Sequence, residues 1–351
     1  MNVEKYFREL IAIPSPSKNE CKVSSYMKEK LSSFGFSYRE DEVGNILFYR
    51  TLEGEKIVLS SHMDTVPPAV NAVMLEDDEK FFTDGTTALG ADDKCGLAAI
   101  LSVAEEYKGD DYAILLTVAE EIGLWGSSHL KKEFLDTINI KHVFVMDATG
   151  DVGTIINSQV GKSRVTLTFN GKKSHAGFKP ENGINAIVMA SNFISSIKTG
   201  RLEELTTSNI GSFIAEGTTN VVPDKATVVF EVRSNRSETR FEIIREYIAK
   251  ATEAASKLGG SVDVFEEDLY TEYCVNEDSD IIRHALKSFS SIGIDAKIKS
   301  TTGGSDSNNL NKFGISSVVL TSGYYSAHST SEYIEKKQLG LLYKIARALF
   351  N

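Results

Sequence analysis

SHMDTV carries His62 and Asp64, LGADDKCG carries Asp92 and Asp93, TVAEEIG carries Glu120 and Glu121, VMDATG carries Asp147, and SAHST carries His328. Imidazole nitrogens and carboxylate oxygens without a thiolate make a nitrogen/oxygen ligand set. Such a set suits zinc, cobalt or manganese in a reactive site better than a thiolate-bound structural zinc. Magnesium is less favoured, because it prefers oxygen ligands and keeps its waters. Two imidazoles and three carboxylates are too many for one open catalytic zinc. They fit two metals if one carboxylate bridges, as in hydrolytic sites whose ions lie about 3.5–4 Å apart.

The residues gain meaning from what precedes them. Apolar runs of strand length occupy 57–61, 112–118, 142–146 and 315–321, and helical patterns at 3–11, 21–34, 94–107 and 332–350 lie between and around them. Buried strands separated by helices predict an α/β domain with a mixed, mostly parallel sheet covered by helices. His62, Glu120, Glu121 and Asp147 directly follow such strands, and His328 comes a few residues after the last. In open α/β sheets, ligands bind beyond the carboxyl ends of the strands. Four strands therefore deliver His, Glu, Asp and His to one edge.

Each residue also has a plainer reading. A single histidine after a strand is more often structural or surface than a ligand, and His129, His142 and His284 are read that way. Asp92 and Asp93 could cap a helix, and Glu120 and Glu121 could form a charged strand exit. Acids 76–79 read as the solvated turn of a hairpin over 72–82. Cys95 reads as a small buried hydrophobe at the start of a helix. The plain readings become hard to sustain together, since the residues fall at successive strand ends.

Between these parts the pattern changes. Residues 163–169 and 227–232 alternate apolar and polar, with amphipathic helices at about 182–197 and 238–258. Alternation means a sheet with one packed face. The organisation expected is a catalytic domain in two parts, 1–161 and 273–351, with an inserted α+β domain over 162–272.

Composition narrows the function. Lys and Arg number 38 against 49 Asp and Glu, a formal net charge of −11. Such a chain is poorly suited to nucleic acid or an anionic membrane. Three separated cysteines form no disulfide framework, and the first residues do not read as a signal peptide, so a cytoplasmic location is expected. A phosphate-binding cradle of the GxGxxG or GxxxxGK[ST] kind is also missing.

These segments, together with IPSPSKNE, SHAGFKPENGINAI and NVVPDK, resemble the dizinc hydrolase family of peptidase T, glutamate carboxypeptidase and aminoacylase. The motifs occur in that family's order from near residue 10 to the C-terminus. The resemblance implies that His62 and Asp147 hold one metal, that Glu121 and His328 hold the other, and that Asp92 bridges both, followed by a cis peptide to Asp93. It implies two divalent ions, zinc first, with cobalt or manganese as alternatives. Asp64 would orient His62, and Glu120 would be the general base that takes a proton from a metal-activated water and returns it to the leaving amine.

The same resemblance makes the inserted domain a lid and dimerisation domain. His175 would stabilise the oxyanion, in a homodimer from the neighbouring subunit. Asn220, Arg233, Gly303, Gly304, Ser305 and Asp306 would face the substrate. The implied activity is removal of the N-terminal residue from short peptides, tripeptides foremost. A carboxypeptidase or N-acyl-amino-acid deacylase on the same metals is the nearest alternative, and a non-catalytic metal- or peptide-binding protein is the alternative of another class.

Overall fold

Alternation decides which side of the main sheet each core residue faces. Ile57, Leu59, Ile114, Leu116, Phe144, Met146, Val318 and Leu320 join one buried cluster, while Val58, Ala113, Leu115, Val143, Val145 and Val319 join another. Both faces of these strands are therefore covered, which is why their sequences read as continuous apolar runs. The computed structural model describes residues 2–351.

The strands Tyr112–Thr117, Glu55–His62, Asn139–Ala148 and Ser317–Thr321 lie side by side in that order and run parallel. Their carboxyl ends consequently share one edge. Antiparallel strands flank them: Ile46–Tyr49 and Ser37–Glu40 on one side, Thr154–Gln159 on the other. The helices Val3–Ile11, Cys21–Ser33, Ala91–Glu106, Asp280–Ser291 and Lys336–Ala348 contribute to the larger cluster. Leu130, Phe134, Leu135 and Leu310 cover the opposite face. Each such aliphatic or aromatic side chain contributes roughly 1.5–3 kcal/mol by leaving water.

A smaller four-stranded sheet joins Met74–Glu76, Lys80–Thr83, Tyr333–Glu335 and Tyr324–Tyr325. The Asp77 carboxylate accepts the Glu79 and Lys80 N–H groups and closes the acidic turn. The last helix starts at Lys336 rather than 332, because Tyr333–Glu335 pairs with Lys80–Thr83.

The chain divides into two compact units. One takes in the residues through Ser158, Cys274–Ser300 and Ser305–Asn351; the other comprises Gln159–Tyr273 and Thr301–Gly304. The second has a five-stranded antiparallel sheet in the order Gly200–Glu203, Thr206–Ile214, Lys225–Ser234, Gly161–Asn170, Ser261–Tyr270. Its strand Gly161–Asn170 buries Val165, Leu167 and Phe169 against helices Ala186–Ser196 and Ser237–Ser256, while the alternate residues stay partly exposed. The fold is thus a mixed, mostly parallel sheet covered by helices, with a separate α+β domain.

Candidate metal centre

The parallel strands set the site. His62 is the last residue of its strand and pairs with Thr117, the last of its neighbour, while Asp147 is the penultimate residue of Asn139–Ala148. Asp92 and Asp93 open the Ala91–Glu106 helix with non-helical backbone angles, and the peptide between them is cis. Beyond Thr117 the chain turns through Ala119, whose φ is +52°. A residue with a Cβ rarely adopts that left-handed conformation. Here it breaks the strand's alternation, so that Glu120 and Glu121 need not face opposite ways. His328, also left-handed at φ +65°, lies between the strands Tyr324–Tyr325 and Tyr333–Glu335.

These residues form two groups that share one carboxylate. His62 Nε2 lies 3.2 Å from Asp92 Oδ1 and 3.7 Å from Asp147 Oδ1. His328 Nε2 lies 3.3 Å from the other Asp92 oxygen and 2.9 Å from Glu121 Oε2. The donor atoms of His62, Asp92 and Asp147 lie within 4.8 Å of one another, as do those of Asp92, Glu121 and His328. Asp92 therefore turns one oxygen to each histidine. Glu120, next in the chain to Glu121, has no hydrogen-bond partner for its carboxylate among the described residues, whereas Glu121 is engaged by His328.

Charge in this cluster is unbalanced. Burial pushes Asp147 well above the usual carboxylate range and Asp92 adds to it; burial does the same at Glu120, reinforced by Glu121 and Asp306. Burial alone would lower His62, yet the carboxylates of Asp64, Asp92 and Asp147 beside it hold it well above its ordinary value. Hydrogen bonds to Asp92 and Glu121 push His328 up to about 10. Among the described residues, no lysine or arginine pairs with Asp92, Glu120, Glu121 or Asp147. A buried excess of carboxylates around two imidazoles, without a protein cation, fits divalent metal ions.

A second layer of residues holds the first. Asp64 is fully buried; its Oδ1 lies 3.3 Å from His62 Nδ1, and its Oδ2 accepts the Ser17 hydroxyl at 2.7 Å. Glu20 Oε1 accepts the Ala119 N–H at 3.0 Å, and the Tyr324 hydroxyl donates to Asp147 Oδ1 at 3.1 Å. Glu332 accepts the N–H groups of Gly90 and Asp92, and burial, countered by those amides, lifts it to about 7. The sequence reading assigned no role to Ser17, Glu20, Tyr324 or Glu332. Their roles rest on contacts with segments distant in the chain, and nothing local separates a buried carboxylate such as Glu20 from a surface one.

The remaining candidates divide between the two units. In the smaller unit, His175 is exposed, lies tilted by 41° against the Phe178 ring at 4.3 Å between centroids, and accepts the Gly177 and Phe178 N–H groups at Nδ1. Asn220 is exposed and its backbone carbonyl accepts the Ala176 N–H. Arg233 is half-buried; its Nε donates to Glu231 at 2.7 Å and its Nη1 reaches the Thr302 carbonyl. Gly303 and Gly304 follow in that unit, and a Cβ on Gly304 would meet the Tyr270 ring at 2.5 Å. In the larger unit, Ser305 caps the helix Asp306–Lys312, and Asp306 is buried with its carboxylate accepting the Thr117 hydroxyl. His129, His142 and His284 stand outside both metal-ligand groups.

Residues 157–258 match the family profile of the peptidase dimerisation domain, and residues 48–183 match that of peptidase family M28. A tripeptidase from Staphylococcus aureus superposes with a TM-score of 0.91 at 34% identity, covering 99% of this chain and 96% of that one. The aminopeptidase PepT of Bacillus cereus superposes with a TM-score of 0.86 at 29% identity, over 99% and 97% of the two chains. The uncharacterised protein YqjE of Bacillus subtilis is 34% identical over 350 residues, 95% of this chain and 93% of its own. Fold, site and relatives agree, and the chain belongs to the M20 family of metallopeptidases as a peptidase T-like member. The resemblance carried by the sequence motifs holds.

Proposed function

We propose that this protein is a two-metal aminopeptidase that removes the N-terminal residue of short peptides, tripeptides foremost. The observation that carries the reading is the placement of Asp92, with one oxygen toward His62 and the other toward His328. In this reading His62, Asp92 and Asp147 hold one divalent ion, zinc first, and Asp92, Glu121 and His328 hold the second. Ions bound there would polarise a peptide carbonyl and bring the pKa of a water from 15.7 toward about 7.

The protein's own groups supply the rest. Glu120, unengaged beside the ligands, takes a proton from the attacking water and delivers it to the leaving amine. Asp64 keeps His62 protonated on Nδ1, leaving Nε2 for the metal. Because the His175 Nδ1 accepts two backbone N–H groups, its proton sits on Nε2, a donor suited to an oxyanion. The dimerisation-domain match supports a homodimer; in it, His175 would serve the neighbouring site. Asn220, Arg233, Gly303 and Gly304 are the proposed substrate contacts, whereas Ser305 and Asp306, also expected to face the substrate, are buried within the larger unit. No helix among the described residues is long and apolar enough to cross a membrane. We assign the enzyme to the cytoplasm.

A second reading, carboxypeptidase or deacylase, is favoured by one feature: Arg233 offers a half-buried guanidinium that could fork a substrate carboxylate. Two matched tripeptides decide between them, one with a free amine and one N-acetylated, given to zinc- or cobalt-reconstituted protein. Release of the first residue from the free-amine peptide alone supports the aminopeptidase. Cleavage of the blocked peptide moves the assignment to the second reading. If neither is cut while two metals stay bound, the protein is a binder or acts on another amide.

A further inference from the structure

Glu332 lies four residues after His328 in the chain and is 1% exposed. Its Oε2 accepts the Gly90 N–H at 2.8 Å and its Oε1 accepts the Asp92 N–H at 3.1 Å. One buried carboxylate thus ties the segment that carries His328 to the backbone of the residue that faces both histidines.

Both ends of this tie are anchored. On its own side, Glu332 runs directly into Tyr333–Glu335, which pairs with Lys80–Thr83 and buries Ile334 completely. Just before it, the Thr330 carbonyl accepts the Thr83 hydroxyl at 2.6 Å. Across the gap, Gly90 has φ +74°, and a Cβ there would stand 3.2 Å from Ala69 and Thr65 side-chain carbons. The Asp92 segment therefore has little room to retreat from the carboxylate. His328, by contrast, has a side chain about half exposed and, among the described residues, held only by Asp92 and Glu121. Its position depends on the backbone that carries it.

We propose that Glu332 is a positioning residue that sets the span between Asp92 and His328, and so tunes the metal held by Asp92, Glu121 and His328 more than the one held by His62, Asp92 and Asp147. This rests on the two-metal reading above. His62 ends a central strand and is buried, so its group has an independent support that the His328 group lacks.

The test is Glu332→Gln. Glutamine fills the same space but keeps only one acceptor oxygen, so one of the two backbone donors meets an NH₂ group and loses its partner. Chelator-stripped protein is titrated with zinc against a competing fluorescent chelator. Wild type should take up two equivalents. E332Q should bind the first as wild type does and the second roughly 10–100-fold more weakly, with turnover restored by excess zinc. Glu272→Gln, which weakens the Arg240 ion pair in the other unit, controls for lost stability and should keep both equivalents. If E332Q does not fold, Glu332→Asp, which withdraws the acceptors by one methylene, should weaken the same equivalent. Unchanged affinity, equal weakening of both equivalents, or a loss of stability alone in the variant that folds would overturn the proposal. Wild type that binds no zinc would overturn the two-metal reading itself, and this proposal with it.

Discussion

Asp64 holds the backbone of Glu120: its Oδ1 accepts the Glu120 N–H at 2.9 Å, and its Oδ2 accepts the Glu121 N–H at 3.2 Å. The same carboxylate faces His62 Nδ1. One buried side chain therefore ties a proposed metal ligand at the end of one strand to the proposed base and a second ligand beyond the next. The two glutamates can play different parts because this grip, with the left-handed turn at Ala119, fixes where each begins.

Glu120→Ala tests that division of labour. Glu121 keeps its contact with His328, so zinc stoichiometry should stay at two equivalents. Turnover should fall roughly 10²–10⁴-fold, the usual worth of a positioned general base. Metal analysis and steady-state rates on the same preparation check both halves. A variant that keeps its rate would remove Glu120 from the chemistry.

Asp64→Asn acts one step further out. The amide keeps one acceptor oxygen where the carboxylate has two, and these now serve His62, Ser17 and two backbone N–H groups. Metal affinity should drop about 10–100-fold, as is common when the partner of a ligating histidine is altered. The rate at saturating zinc should recover in part. Competition titration followed by rates at raised zinc separates this outcome from simple unfolding.

How much of this was legible in the residues themselves differs from element to element. Runs such as the one around Leu59 are apolar because both sheet faces are covered, so their strands and the acids and histidines beyond them stand out. The strand Ser261–Tyr270 does not: it is the edge of its sheet and exposes Asp263, Glu266 and Asp268, so its pattern resembles a solvated loop. Thr206–Ile214 is polar and carries a register shift between Ile210 and Ser212, which breaks its alternation. In the site, motif and spacing point to His62, Asp92, Glu121, Asp147 and His328. The supports Glu20, Tyr324 and Glu332 act through contacts between segments far apart in the chain, which no local pattern encodes.

Gly161 shows a packing constraint of the same non-local kind. A Cβ at this position would stand 1.5 Å from Arg240 Nη1 and 2.5 Å from Glu272 Oε2. Arg240 is wholly buried, held by Asp268 at 2.9 Å and Glu272 at 3.0 Å. Gly161→Ala must displace that guanidinium from its partners, and should destabilise the smaller unit by about 1–3 kcal/mol, the usual range for overpacking. Calorimetry would register this as a lower unfolding temperature, and zinc stoichiometry should not change.

Acid stability depends in part on His142, away from the metal ligands. The residue is 5% exposed, lies edge-on to the His284 ring at 5.7 Å, and leaves Nδ1 without a hydrogen-bond partner among the described residues. Burial, then the neighbouring His284 and Lys141, push it down from 6.5 to about 4, against weaker opposite pulls from Asp280 and Glu55. Between those two values the unfolded chain binds a proton that the folded chain refuses. Stability must therefore fall as pH drops from about 6.5 to about 4, and this contribution stops changing below that. The shift corresponds to roughly 3 kcal/mol at most. His142→Gln cannot titrate, so its urea-unfolding free energy should decline less steeply over this window than that of wild type. The metal-site carboxylates titrate in both proteins and cancel in the difference. Two parallel curves would mean that His142 takes up its proton in the folded state as readily as in the unfolded one.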